Sequence, residues 1–125
     1  MAGDTGSQEV KFSDKTRDLI RKRAKDKCEV CGSVALYHQV HHRRPRGMGG
    51  TKDAVAGCAA NGVWVHPHCH AMIESNRADA LEKGWLVSQS QDPRKVPFKK
   101  HDGWAVLHED GTYTMVPSPD RPSGK

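Results

Sequence analysis

Apolar and polar positions along the chain mark out a basic helix, a ligand-rich middle and a run of short strands. The first ten residues, MAGDTGSQEV, read as a flexible end. Leu19, Ile20 and Ala24 then form a narrow apolar stripe at helical spacing. Ser13 can cap that helix and Asp14 suits its positive end, so a helix is predicted from Ser13. Lys15, Arg17, Arg21, Lys22, Arg23, Lys25 and Lys27 surround the stripe and are expected to face solvent or phosphate.

VALYHQV at 34–40 has strand composition, RPRGMGGTKDAVAG is loop by its proline and glycines, and GVWV at 62–65 is a second short strand. After Pro67, HCHAMIESNRADALEKG reads as helix, with proline in the first turn, a break near Ser75 and Asn76, and Gly84 as its stop. WLVSQ, VPFKK and GWAVLHEDGTYTMV predict further short strands, with a hairpin turn at Asp110 and Gly111. PSPDRPSGK, 117–125, reads as a disordered tail. The expected class is α+β, in one domain over 11–116.

Composition adds a constraint. With 125 residues and only 35% apolar side chains, the chain can bury a modest core, so a staple is expected and metal is the candidate. A net charge of +5 and a pI near 9.2 favour a polyanionic partner. No apolar run approaches the ~18 residues of a membrane span, and the N-terminus lacks a signal-peptide core, so a cytoplasmic location is expected. Thiols stay reduced there, and Cys28, Cys31, Cys58 and Cys69 read better as zinc ligands than as disulfides.

Six of the eight histidines, at 38, 41, 42, 66, 68 and 70, lie between the first cysteine and the first turn of the second helix. A structural zinc site takes four Cys or His ligands as two short-range pairs. Cys28-x-x-Cys31 is one pair, and His66-Pro-His-Cys69 matches its spacing, giving a Cys3His site. Cys58 in place of His66 is the alternative.

His41 and His42, then Asn61, then His70 nine residues on and directly after Cys69, resemble the HNH endonuclease motif. HHRRPRGMGG with ANGVWVHPHCHAMIES is similar in particular to the small zinc-stapled HNH proteins of tailed phages, over residues 28–85. His66 stands where that family more often has cysteine. The resemblance implies a ββα-metal core with a zinc knuckle, flanked here by the basic helix and the C-terminal strands. It implies a metal-dependent endonuclease acting on DNA in the host cytoplasm, with phage terminase or other packaging proteins as partners. Carried over, His42 would be the general base, His41 and His70 would hold the catalytic ion, and Asn61 would keep the loop and the His42 ring in place.

Adjacent residues of a regular strand point to opposite faces. His41 and His42 therefore address one site only if the strand ends at His41 or if substrate lies between water and metal. Two neutral imidazoles suit Mn2+ or Ni2+ better than Mg2+, which stays compatible because phosphate and water bring oxygens. Arg43, Arg44 and Arg46 follow the base and are expected to contact phosphate without reading sequence. The rival expectation is a non-catalytic zinc module that binds nucleic acid or protein. A metalloprotease is excluded by the absence of His-Glu-x-x-His.

Overall fold

The computed structural model describes residues 12–34, 37–45 and 54–119. The chain runs α1 (Asp14–Ala24), β1 (Gln39–His42), two short 3-10 turns, β2 (Gly62–Val65), α2 (Pro67–Ser75), α3 (Arg77–Glu82), β3 (Phe98–Lys100), β4 (Gly103–Leu107) and β5 (Tyr113–Val116). Strands and helices are mixed along the chain, as an α+β class requires. None of the described helices is long and apolar enough to cross a membrane.

Ser13 caps α1 as expected, its hydroxyl accepting the Thr16 amide at 3.0 Å. Ile20 and Ala24 are buried, and Ile20 packs with Phe12 and Ala59. Lys15, Arg17, Lys22, Lys25 and Lys27 are exposed, but Arg23 departs from the expectation for this basic set. Its guanidinium forks onto the Glu29 carboxylate at 2.8 and 2.7 Å and reaches the carbonyls of Ala59 and Gly62, with both charged side chains sealed from solvent. Glu29 in turn accepts the Trp64 amide, and its own amide donates to the Trp64 carbonyl. A buried charge is tolerated only when paired and hydrogen-bonded, and here the pairing ties the Cys28–Cys31 turn to β2.

β1 and β2 pair antiparallel, Gln39 with Val65 and His41 with Val63. Of the strand predicted at 34–40, Gln39 and Val40 lie in β1, Val34 and Tyr37 are exposed outside it, and residues 35 and 36 lie outside the described residues. Directly opposed residues share a sheet face, so Gln39, His41, Val63 and Val65 form one face, which packs on α2 through Ile73 and Cys69. Val40, His42, Trp64 and Gly62 form the other, toward α1; a Cβ at Gly62 would meet Ile20 and Phe12.

Pro67 opens α2, Asn76 breaks the helix, and Gly84 at φ +73° ends the pair of helices. WLVSQ is not a strand. Trp85, Leu86 and Val87 are buried, and the segment 84–97 crosses irregularly to β3. β3, β4 and β5 form an antiparallel sheet whose β4–β5 turn holds Asp110 and Gly111. Phe98, Ala105 and Leu107 join Val63, Val65, Ile73 and Trp85 in one core.

Candidate metal centres

Two groups of side chains of metal-binding type converge on α2, one through Cys69 and the other through the next residue, His70, with Glu74 a turn beyond it. The sulfurs of Cys28, Cys31 and Cys69 lie within 4.8 Å of one another. Zinc–sulfur bonds of about 2.3 Å place sulfurs roughly 3.8 Å apart in a tetrahedron, so the trio fits zinc with little movement. A tight turn prepares it: Gly32 donates to the Cys28 carbonyl at 2.7 Å, the Cys31 amide points to Cys28 Sγ at 3.4 Å, and Gly32 takes φ +83°.

Burial raises the Cys69 thiol to about 12, with Cys28 and Cys31 adding to it. Burial also pushes Cys31 up, but hydrogen bonds from the Ser33 hydroxyl and amide, with those of Cys28 and Cys69, hold that thiol below its ordinary value. Three sulfurs so close cannot all ionise unless a cation sits between them. This set has the chemistry of a structural metal site.

His66 stands beside this trio, not within it. It caps α2 with extended backbone, and its Nε2 meets Ser33 Oγ at 2.6 Å, which in turn lies 3.0 Å from Cys31 Sγ. Its position before Pro67 separates it from His70, although the two are four residues apart. Cys58 is half-buried and, like His66, lies outside the group. His68 is exposed and belongs to neither group.

The second group is His41, His70 and Glu74, whose ligand atoms also lie within 4.8 Å of one another. The two rings meet edge-on with centroids 5.0 Å apart, one from β1 and one from α2. Each ring has one nitrogen anchored. His41 Nε2 donates to the Trp85 carbonyl at 2.8 Å, and His70 Nδ1 donates to Gln39 Oε1 at 2.7 Å. That leaves His41 Nδ1 and His70 Nε2 with lone pairs to offer, and the latter lies 3.8 Å from a Glu74 oxygen. Ring N–H bonds of this kind fix the tautomer of metal-binding histidines. Burial, with His70 and His42 nearby, depresses His41 to about 4, so it is neutral and able to ligate at neutral pH.

Glu74, Gln39 and the Trp85 carbonyl were not among the expected site residues. Glu74 was legible as the residue four beyond His70 on one helix, and Gln39 as the same-face neighbour of His41. The Trp85 carbonyl leaves no trace in a residue pattern.

β1 continues through His42, so that ring leaves on the opposite face and stacks on Phe12 with centroids 4.3 Å apart. Asn61 is fully buried; its Oδ1 accepts the Arg44 amide at 2.7 Å, and its Nδ2 donates to the carbonyls of Arg44 and Ala56. It therefore holds the chain on both sides of the loop, and its side-chain bonds go to backbone rather than to the His42 ring.

Arg43 corrects the expectation of a phosphate contact. Its guanidinium is wholly buried and donates to the carbonyls of Gly84, Ala60, Pro93 and Val96, while burial and nearby Arg23 push it down to about 9. Arg44 is partly committed, donating to the Gln91 carbonyl at 3.0 Å, and Arg46 lies outside the described residues. Compared with known protein families, curated proteins and solved structures, the chain matches none of them.

Proposed function

We propose that the chain is a divalent-metal-dependent endonuclease of the HNH type, cutting or nicking DNA with little intrinsic sequence preference. The observation that carries this reading is the pair His41 and His70, each with one nitrogen anchored and the other free to ligate beside Glu74. His41, His70 and Glu74 would hold the ion. Two imidazoles and a carboxylate suit Mn2+ or Ni2+, with Mg2+ admitted by the added oxygens. When bound, the ion would stabilise charge that builds on the phosphate and the leaving oxygen only in the transition state.

His42 takes the proton of the attacking water, a task for which imidazole is suited near neutral pH. His42 and His41 leave opposite faces of β1, so a phosphodiester served by both would have to lie across the end of that strand. Asn61 keeps that strand end in place through its bonds to Arg44 and Ala56. Cys28, Cys31, Cys69 and His66 would hold zinc as a folding staple, with His66 turning from Ser33 to complete the set. Arg44, Arg46 and the exposed lysines of α1 supply phosphate contacts. The likeness to tailed-phage proteins extends the proposal to a partner in the DNA-packaging machinery.

Supercoiled plasmid incubated with zinc-loaded protein and Mn2+, Ni2+ or Mg2+, against an EDTA control, tests the reading. Relaxed or linear DNA that requires added metal is expected; no conversion with any ion would overturn it. A non-catalytic zinc module is the second reading, favoured by the stacking of His42 on Phe12 away from the ligand pair. His42→Ala separates the two, since the nuclease reading has cleavage abolished with DNA binding retained.

A further inference from the structure

The segment 84–97 between α3 and β3 has no regular structure, yet its carbonyls at Gly84, Trp85, Pro93 and Val96 accept hydrogen bonds from the end of β1. Arg43 donates from Nε to the Gly84 carbonyl at 2.8 Å, from Nη1 to Pro93 at 2.8 Å and to Ala60 at 3.0 Å, and from Nη2 to Val96 at 2.7 Å. The Val87 backbone amide returns a bond to the Arg43 carbonyl at 2.8 Å, and the Gln89 side-chain Nε2 reaches the Pro45 carbonyl. Phe98 lies under the guanidinium, 5.4 Å from its carbon.

A wholly buried guanidinium whose four acceptors are all backbone carbonyls is an expensive way to fill space. Its planar fork of five donors can address carbonyls at both ends of one segment at the same time, which lysine or methionine cannot do. The residue after Gly84 is Trp85, whose carbonyl takes the His41 Nε2–H. The fork therefore holds the backbone adjoining the one group that decides which His41 nitrogen carries the proton.

We propose that Arg43 is a positioning residue for the His41–His70 centre. By pinning the 84–97 segment to the end of β1 at Gly84, Pro93 and Val96, it sets the Trp85 carbonyl against His41, which locks the Nε2–H tautomer and turns Nδ1 toward His70 and Glu74. This gives the C-terminal half of the chain a task, as the outer support of the ion centre. It rests on the reading of His41 and His70 as that centre, so its test has a readout that needs no second ion.

Histidine-selective 15N labelling of the zinc-loaded protein at pH 7.5, without other divalent ions, reports the tautomer of each ring through long-range 1H–15N spectra. Wild type is expected to show His41 as Nε2–H alone. Arg43→Lys keeps the charge and loses the fork; in a folded variant with unchanged zinc stoichiometry, His41 is expected as a mixture of tautomers. Mn2+ affinity should fall by about tenfold, the scale typical of losing a support to a metal-binding histidine. A folded Arg43→Lys protein with pure Nε2–H and wild-type Mn2+ affinity would overturn the proposal. If that variant does not fold, Asp92→Ala decides: it loosens the turn that presents the Pro93 carbonyl without touching Arg43. A second tautomer with weaker Mn2+ binding supports the proposal, and no change in either overturns it. Should wild type bind no Mn2+ while His41 is still Nε2–H, the ion centre fails, and the tautomer comparison still judges Arg43.

Discussion

Acid should destabilise this fold through His41 before the surface carboxylates titrate. The ring is only 3% exposed, wedged between α2 and the 84–97 segment, and burial depresses it from 6.5 to about 4. A histidine whose folded value is lowered contributes stability that is fully present above its unfolded value and is lost as pH falls toward the folded one. The window is therefore from about 6.5 down to about 4. At 1.36 kcal/mol per pH unit the whole effect is about 3 kcal/mol, of which about 2.5 kcal/mol is gone by about pH 4.5. Against a typical 5–15 kcal/mol for a domain, roughly, that is a large share.

The assay is urea unfolding of zinc-loaded protein without a second metal, from pH 7.5 to 4.5, for wild type and His41→Gln. Glutamine retains a donor for the Trp85 carbonyl but does not titrate. Losses from protonated zinc ligands affect both proteins, so the comparison between them isolates the part that depends on His41. Wild type should lose about 2.5 kcal/mol more than the variant across the window. Parallel pH curves would show that His41 is not held neutral by burial, and with them would go its readiness to ligate at neutral pH.

Cys28→Ser should unfold the domain, because zinc binding of about 10–16 kcal/mol is folding energy in small sites and this residue is also fully buried; wild-type melting by circular dichroism would refute the staple. Gly84→Ala places a Cβ 1.8 Å from the Pro97 carbonyl at a φ of +73°. A left-handed conformation with such a clash should cost at least about 2 kcal/mol, and an unchanged Tm is incompatible with it. Glu74→Gln, on an exposed side chain, should leave melting unchanged and weaken Mn2+ binding by about tenfold in calorimetry; equal affinity would remove Glu74 from the centre. DNA affinity should fall steeply with salt, and a flat dependence would rule out phosphate-led binding through the basic residues.

Elements with local determinants were legible from the chain alone. Ser13 caps α1, Pro67 opens α2, Asn76 breaks it, Gly84 ends α3, and Asp110 with Gly111 turns β4 into β5. Each of these signals acts within a few residues, where sterics and one hydrogen bond decide the outcome. β1 failed that condition. Its limits are set by pairing with β2, some twenty residues on, so Val34 and Tyr37, which composition drew into the strand, lie in solvent outside it.

The same distinction runs through the candidate site. Cys28, Cys31, Cys69, His41 and His70 announce themselves by residue type and spacing, because only a few side chains bind metals and the fold must bring them together. Their supports do not, because a supporting carbonyl can belong to any residue. Arg43 sits among three arginines of identical appearance, yet it is swallowed by carbonyls from residues 60, 84, 93 and 96. No spacing rule reaches that far, since the acceptors become neighbours only when the segment 84–97 folds back over β1. Arg23 repeats the lesson on the other face of the sheet, where Glu29, inside the Cys28–Cys31 turn, converts a residue of a basic helix into a buried strut. In a chain with few apolar residues, buried arginines thus fasten the metal-bearing elements to the rest of the fold, and substitutions at these two should be felt at the metal sites they adjoin.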